Sequence, residues 1–234
     1  MRKNPLTMKG TIERCWLFAF RTPERDVRPL LPAPLDLVTR DGAAFWNVVV
    51  CRVGRMRPRF APRLLGMSYW HVAYRLHARF AGQEGLYFVR SDCDSAFMSW
   101  MGNVMTDFNF HTAGVRVDET DARVKIEIDS PDAPGSAEID RRAPSSLAPG
   151  SPFDSVAEAS AFLKYKPLGL SVGKDGGVNR VRIVRDESAW RGRAVPVRSQ
   201  RWSFFDGRTA VPELCTEVDP IEYRWNRGEV LEAC

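Results

Sequence analysis

Lysine is scarce in this chain: of 34 basic residues only six are lysine, namely Lys3, Lys9, Lys125, Lys164, Lys166 and Lys174. Chemistry that needs a reactive amine therefore has few places to reside. The five cysteines, Cys15, Cys51, Cys93, Cys215 and Cys234, are an odd number without a Cys-x-x-Cys pair. Neither a disulfide framework nor a zinc ribbon is indicated, and reduced buried thiols are expected. Long apolar runs are absent too. Ala43–Cys51, interrupted by Asn47, is far too short to span a bilayer. The opening MRKNPLTMKG has basic residues but no apolar signal-peptide core. A cytoplasmic protein with no membrane partner is expected. A basic tract is missing as well: the net charge of +5 is scattered, and Trp and Tyr residues sit in apolar strands. Nucleic acid is therefore not an expected partner. No internal repeat stands out.

What is present is a run of strands. Residues 11–21, TIERCWLFAFR, alternate loosely; Thr22-Pro23-Glu24 starts a short helix that Pro32 and Pro34 end. Ala43–Val53 is rich in β-branched and aromatic residues, and Arg55–Arg63 reads as an exposed basic loop. Ser68–Phe80, SYWHVAYRLHARF, alternates most clearly. Trp70, Val72, Tyr74 and Leu76 share one face, and His71, Ala73, Arg75 and His77 the other. Gly82–Gly85 closes a hairpin into Leu86–Arg90. Further strands are expected at Ala113–Val117, Arg123–Asp129, Ala137–Arg141, Val178–Arg185, Val195–Phe205 and Ile221–Trp225. Residues 130–156 read as loop excursions, and Ser155–Tyr165 as a helix. Many strands, few short helices and short polar turns favour a mainly β fold, an antiparallel sheet curled on itself. We read residues 1–234 as one domain.

The stretch Asp92–His111, DCDSAFMSWMGNVMTDFNFH, is the centre of this pattern. Asp94 or Ser95 caps a helix over Asp94–Met105, whose face of Phe97, Trp100, Met101, Val104 and Met105 is expected to bury against the sheet. Asn109 and His111 then enter the sheet directly, as candidate polar groups of an interior site.

FRTPERDVRPLLPAPLDL at 20–37 resembles the opening of acetoacetate decarboxylases, in which an aromatic-Arg-Thr is followed by a short helix and Pro-x-Pro-Leu. Downstream the chain is more similar to a related group, the YqjF-like proteins with the DUF2071 domain. Their Glu-x-Asn-x-Arg strand, Gly-aromatic-Phe strand and late Phe-Leu then Tyr have counterparts here. These are His71-x-Ala73-x-Arg75, Gly85-Leu86-Tyr87-Phe88 and Phe162-Leu163-Lys164-Tyr165. The resemblance covers residues 11–205 and implies a cone-like, closed antiparallel β barrel with an interior ligand pocket. The decarboxylases carry Gly-Arg-Glu, then aromatic-Pro-Lys-Lys, the first lysine forming a Schiff base with the substrate ketone. Here Gly102 matches the glycine, while Asn103 and Val104 replace Arg-Glu; Phe108 matches the aromatic and Asn109 the proline. Phe110 and His111 stand where the lysines would be. Phe110 cannot form an imine, so acetoacetate decarboxylase activity is not expected.

Two readings follow. In the first, a small-molecule ligand, anionic or keto-acid-like, is held by Arg75, His71 and His111, with Asn109 alongside and Trp46 and Tyr74 as walls. Arginine offers a carboxylate two parallel charge-assisted hydrogen bonds, and a neutral histidine donates to a carbonyl. Arg14, or Glu13 if the register shifts by one, lies near the position of a decarboxylase active-site arginine. In the second, a lyase, hydratase or isomerase moves protons with His111, His71 and Asp92 or Asp94. A Schiff-base lysine relocated to Lys164 or Lys166 is a narrower variant, Lys125 lying on a charged, exposed face. Alternation alone leaves open whether the His71 and Arg75 face lines the interior or meets solvent. No metal is expected, because His71 and His77 lie roughly 20 Å apart along a strand, and no other cofactor is expected. A homo-oligomer remains open.

Overall fold

The computed structural model describes residues 3–173 and 175–231, so Lys174 and Cys234 lie outside the described residues. The first strand, β1 (Met8–Pro23), is long and apolar on both sides. Cys15, Leu17 and Ala19 face one way; Trp16, Phe18 and Phe20 face the other, and all six are buried. Burial on both faces explains why hydrophobicity in this segment alternates only loosely. A single-turn helix, α1 (Glu24–Val27), follows. Short strands β2 (Asp36–Leu37) and β3 (Thr39–Arg40) lead to β4 (Ala43–Pro58), β5 (Met67–Phe80) and β6 (Gln83–Cys93). The β5–β6 hairpin turns at Ala81 and Gly82, both at positive φ, one residue earlier than the glycine spacing suggests.

Helix α2 (Ala96–Met105) and strand β7 (Phe110–Thr112) come next, then β8 (Gly114–Glu119), β9 (Arg123–Asp129) and β10 (Gly135–Asp140). Helix α3 (Val156–Leu163), capped by Ser155, precedes β11 (Leu168–Val172) and β12 (Val178–Arg185). The chain continues through β13 (Gly192–Val195), β14 (Val197–Trp202), β15 (Val211–Val218), β16 (Ile221–Trp225) and β17 (Glu229–Leu231).

In the larger sheet β1 pairs with β15 and β16 along one edge and with β4 along the other. The hydrogen-bonded order β1-β16-β12-β11-β6-β5-β4 therefore returns to β1. A second, antiparallel sheet of β14-β10-β9-β8 covers one face of the first. Between the two sheets lies the main core, with Trp16, Trp46, Tyr74, Ile126, Ile139 and Trp202 among its members. A smaller apolar cluster with Leu17, Val49, Phe88 and Phe108 lies on the opposite face of the ring strands.

Two expectations need correction. The sheet is not purely antiparallel: β6 runs parallel to both β7 and β11. Helix α2 carries the chain from the end of β6 back to the edge at which it returns as β7, a crossover that makes neighbours parallel. Nor does α2 bury the whole of its expected face: Met101 and Met105 turn inward, but three of the five do not. Phe97, Trp100 and Val104 are 53%, 59% and 38% exposed. The side turned inward carries Met98, Met101, Gly102 and Met105, which roof a cavity. At Gly102 a β-carbon would come within 2.4 Å of the Phe110 ring, so the glycine lets the helix lie directly on that ring. Ser95, and not Asp94, caps α2, its hydroxyl accepting from the Met98 N–H at 3.3 Å. Asp94 instead accepts from the Trp70 N–H at 2.7 Å. Among the described residues the cysteines Cys15, Cys51, Cys93 and Cys215 are free and buried. No helix among them is long and apolar enough to cross a membrane.

Candidate functional site

Both faces of β5 are buried. Trp70, Val72, Tyr74 and Leu76 belong to the core between the sheets. The opposite face points into the ring of strands, where His71, Arg75 and His77 are 8%, 7% and 1% exposed. The pairings Cys51↔His71 and Asn47↔Arg75 set these side chains beside β4. A register shift between Tyr74 and Arg75 on the β6 side brings Phe88 opposite Arg75, and the guanidinium sits 5.5 Å from the Phe88 ring centroid.

Arg75 and His71 line a small inner chamber of about 60 Å³, together with Cys15, Cys51, Tyr165 and Arg185. Arg75 donates from Nη2 to Asn47 Oδ1, and Asn47 is itself oriented by donating to the Leu163 carbonyl at 3.3 Å. The Arg75 Nε is buried without a partner among the described residues. Burial brings the Arg75 pKa down to about 10, which still leaves the group charged at neutral pH. Arg185, whose side chain is 3% exposed, has its Nε 3.4 Å from Glu187 and lies against the rings of Tyr165 and Trp190. Its Nη2 is likewise buried and unpartnered among the described residues. Burial lowers its pKa to about 10. Both guanidiniums act on the Cys15 thiol, which burial nevertheless pushes up to about 12. Cys15 is therefore an inert thiol and not a nucleophile.

His71 stacks on Phe110 with ring centroids 5.4 Å apart. Burial, then the charge of Arg75, pulls its pKa down to about 3, so the imidazole is neutral. His77, at the far end of the same face, stacks on Phe162 and falls to about 3 for the same first reason. Next to the chamber, beneath α2, lies a larger cavity of about 130 Å³ lined mostly by apolar side chains. The two share His71, Tyr223 and Trp225.

Of the six candidate binding residues named from the sequence, the fold brings only His71 and Arg75 together. His111 pairs with Asp92, whereas Phe110 pairs with Ser91 and stacks on His71. Adjacent strand residues face opposite sides, so His111 points away from the chamber. It meets Asn109 Oδ1 at 3.2 Å, and Asn109 in turn donates to the Val89 carbonyl. Arg14 is outside the ring, its Nε bonded to Glu119 at 2.9 Å. Glu13, the alternative to it, lies across Gly54, close enough that a β-carbon there would collide with its carboxylate. Trp46, like Tyr74, packs between the sheets against Phe204. The Asp92 carboxylate accepts from Arg90 Nε at 2.9 Å on the face away from His71, so no His–Asp pair converges in the chamber. No lysine among the described residues lines it: Lys166 pairs with Glu84 at 3.0 Å, Lys125 with Glu127 at 3.3 Å, and Lys164 is exposed.

Arg185 and Tyr223 escaped the sequence reading. In VNRVRIVR, Val181, Ile183 and Arg185 are in phase, and an arginine continuing an apolar face is the available signal. Tyr165 had one, as the tyrosine after Phe162-Leu163.

The two neutral histidines make stability depend on pH. Each binds a proton near 6.5 when unfolded and only near 3 when folded. The unfolded chain therefore takes up more protons, and stability falls as pH drops below 6.5. Asp92 opposes this, because burial raises its pKa from 3.8 to about 6 and the folded state is protonated first. His111, whose pKa burial also lowers, adds to the histidine side, so the net effect of these groups is a loss of stability on acidification. Denaturant unfolding between pH 6.5 and pH 5 should show this loss. In His77→Phe one of the neutral histidines is gone, and the fall in stability over that range should be shallower than in the natural chain.

Comparison with known proteins places these observations. The model of the DUF2071 family, described as an uncharacterized conserved protein, matches residues 10–166. No curated protein matches the chain. Among solved structures, an acetoacetate decarboxylase-like enzyme from Sphingomonas wittichii RW1 is 12% identical. It aligns with a TM-score of 0.66 over 99% of this chain and 95% of its own. The acetoacetate decarboxylase of Legionella pneumophila is 14% identical, with a TM-score of 0.64 over 96% of this chain and 87% of its own. The enduracididine biosynthesis enzyme MppR, solved in complex with pyruvate, is 11% identical, with a TM-score of 0.63 over 99% and 92%. At such identities the likeness is one of fold.

Proposed function

Because the chain belongs to the DUF2071 family and has the fold of acetoacetate decarboxylase-like proteins, we propose that it binds a small carboxylate of the keto-acid type. The ligand sits inside the ring of strands, which acts as a closed, cone-like barrel. One observation carries this reading. Arg75 is a buried guanidinium with no carboxylate partner among the described residues, its Nε is unsatisfied, and the residue lines the inner chamber. An uncompensated buried charge is costly, and an anionic ligand is the partner that relieves it. Arg185 adds a second unsatisfied donor, Nη2, from the facing strand. Neutral His71 supplies a polar nitrogen, Nε2, for a carbonyl oxygen. That MppR was solved with pyruvate bound fits an interior of this chemistry.

No Schiff-base step belongs to this reading. The position the decarboxylases give to the reactive lysine is Phe110, stacked on His71. The protein is thus a ligand-binding relative, or an enzyme whose chemistry relies on polarisation of a bound keto acid by Arg75 and His71. Calorimetric titration with pyruvate, 2-oxobutanoate and acetoacetate tests it: saturable binding of at least one is expected. Heat changes no larger than for the matching neutral ketones would overturn it.

A further inference from the structure

Five of the seven methionines of the sequence line one cavity: Met8, Met56, Met98, Met101 and Met105. They come from three elements far apart in the chain, β1, β4 and α2, so the grouping is made by the fold and not by local composition. Methionine is unbranched and polarisable, and it lines surfaces that take apolar guests of variable shape. Phe108 and Phe110 complete the wall. The cavity adjoins the inner chamber. It shares His71, Tyr223 and Trp225 with the inner chamber, where the Arg75 and Arg185 donors lie. An apolar cavity beside a cationic chamber has the polarity of an amphiphile.

We infer that the ligand is an amphipathic carboxylate, its charged end at Arg75 and its alkyl or aryl tail in the methionine-lined vestibule beneath α2. This rests on the proposed carboxylate site and specifies the class of molecule that fills it. A two- or three-carbon acid would satisfy the guanidinium and leave the larger cavity without a guest. A tail instead covers the Phe110 and Trp225 rings and removes their apolar surface from water.

The full chain is titrated with butanoate, hexanoate and octanoate, with their 2-oxo counterparts, and with octan-1-ol. Burial of each added methylene should tighten binding by about two- to fourfold, and octanol should bind far more weakly than octanoate. In Met101→Glu, which puts a charge into the vestibule from the partly exposed helix, octanoate should lose far more affinity than butanoate, so that the gain with chain length disappears. A series flat in chain length, with short acids still bound, would overturn the tail site and leave the carboxylate site standing. Octanol binding as tightly as octanoate would overturn the carboxylate end and, with it, the amphiphile. Absence of binding throughout would overturn both.

Discussion

In Arg75→Met, carboxylate binding should fall by at least tenfold while the protein unfolds at the same or a higher denaturant concentration. A conventional argument from contacts predicts the opposite, since the side chain is buried, donates to Asn47 and lies over Phe88. The desolvation of the guanidinium decides the sign. It has no compensating carboxylate among the described residues, and replacing buried charges by hydrophobic side chains is often neutral or stabilising by about 1–4 kcal/mol. Against this stands Asn47 Oδ1, which loses its donor at a cost of about 1–3 kcal/mol. The net change is expected to lie between zero and a modest gain. Charge-assisted hydrogen bonds to the ligand contribute about 1.5–3 kcal/mol, and their loss sets the tenfold minimum. Denaturant melts together with calorimetry on the same variant read both quantities. A variant that unfolds earlier yet binds normally would show Arg75 to be a structural residue.

Phe110→Lys should turn a protein that forms no imine into one that does. Borohydride added to the natural chain with acetoacetate should leave no lysine adduct by intact mass, and carbon dioxide release should match the uncatalysed control. The substitution puts an amine where the Phe110 ring now stacks on His71, in the lining of the cavity beneath α2. Burial and the nearby positive charge of Arg75, which already depresses His71, both disfavour the ammonium. A neutral amine beside a bound ketone is the condition for Schiff-base formation. Trapping on this variant should yield an adduct on residue 110. An adduct on Lys164 or Lys166 of the natural chain would instead show that the reactive amine has moved elsewhere.

Much of the sheet was legible from residue patterns. Strands β12 and β16 have the expected bounds, and β5 differs by one residue. Strand β15 was not legible, because Pro212 and Glu213 break its apolar pattern at the start. The parallel pairs of β6 depend on where the chain returns after a helix, which no local window contains. For the site, β5 shows the limit of alternation. A strand buried on both faces does not say which face lines a chamber, and here it is the polar one. The α2 face was legible in part: Met101 and Met105 turn inward as expected, but Phe97 and Trp100, as apolar as Met98, turn outward while Met98 turns inward. His111 was placed by its position in a motif, while strand alternation at Phe110 sends it to the other side. Arg185 joins the site through a pairing of β12 with β16 that brings together residues about 40 apart in the chain.

The ring of strands has a cost in time. Strand β1 leaves the ribosome before the other strands, yet one of its two edges is completed only by β15 and β16, with Met8 against Trp225 and Cys15 against Val218. Closing a loop that spans nearly the whole chain is entropically slow, and contacts this non-local place a fold among the slow ones. Until then β1, carrying Trp16, Leu17 and Phe18, offers unpaired backbone beside exposed apolar surface. The nascent protein is therefore most open to strand-to-strand aggregation before residues 211–225 emerge, and chaperone dependence should track synthesis of that last stretch.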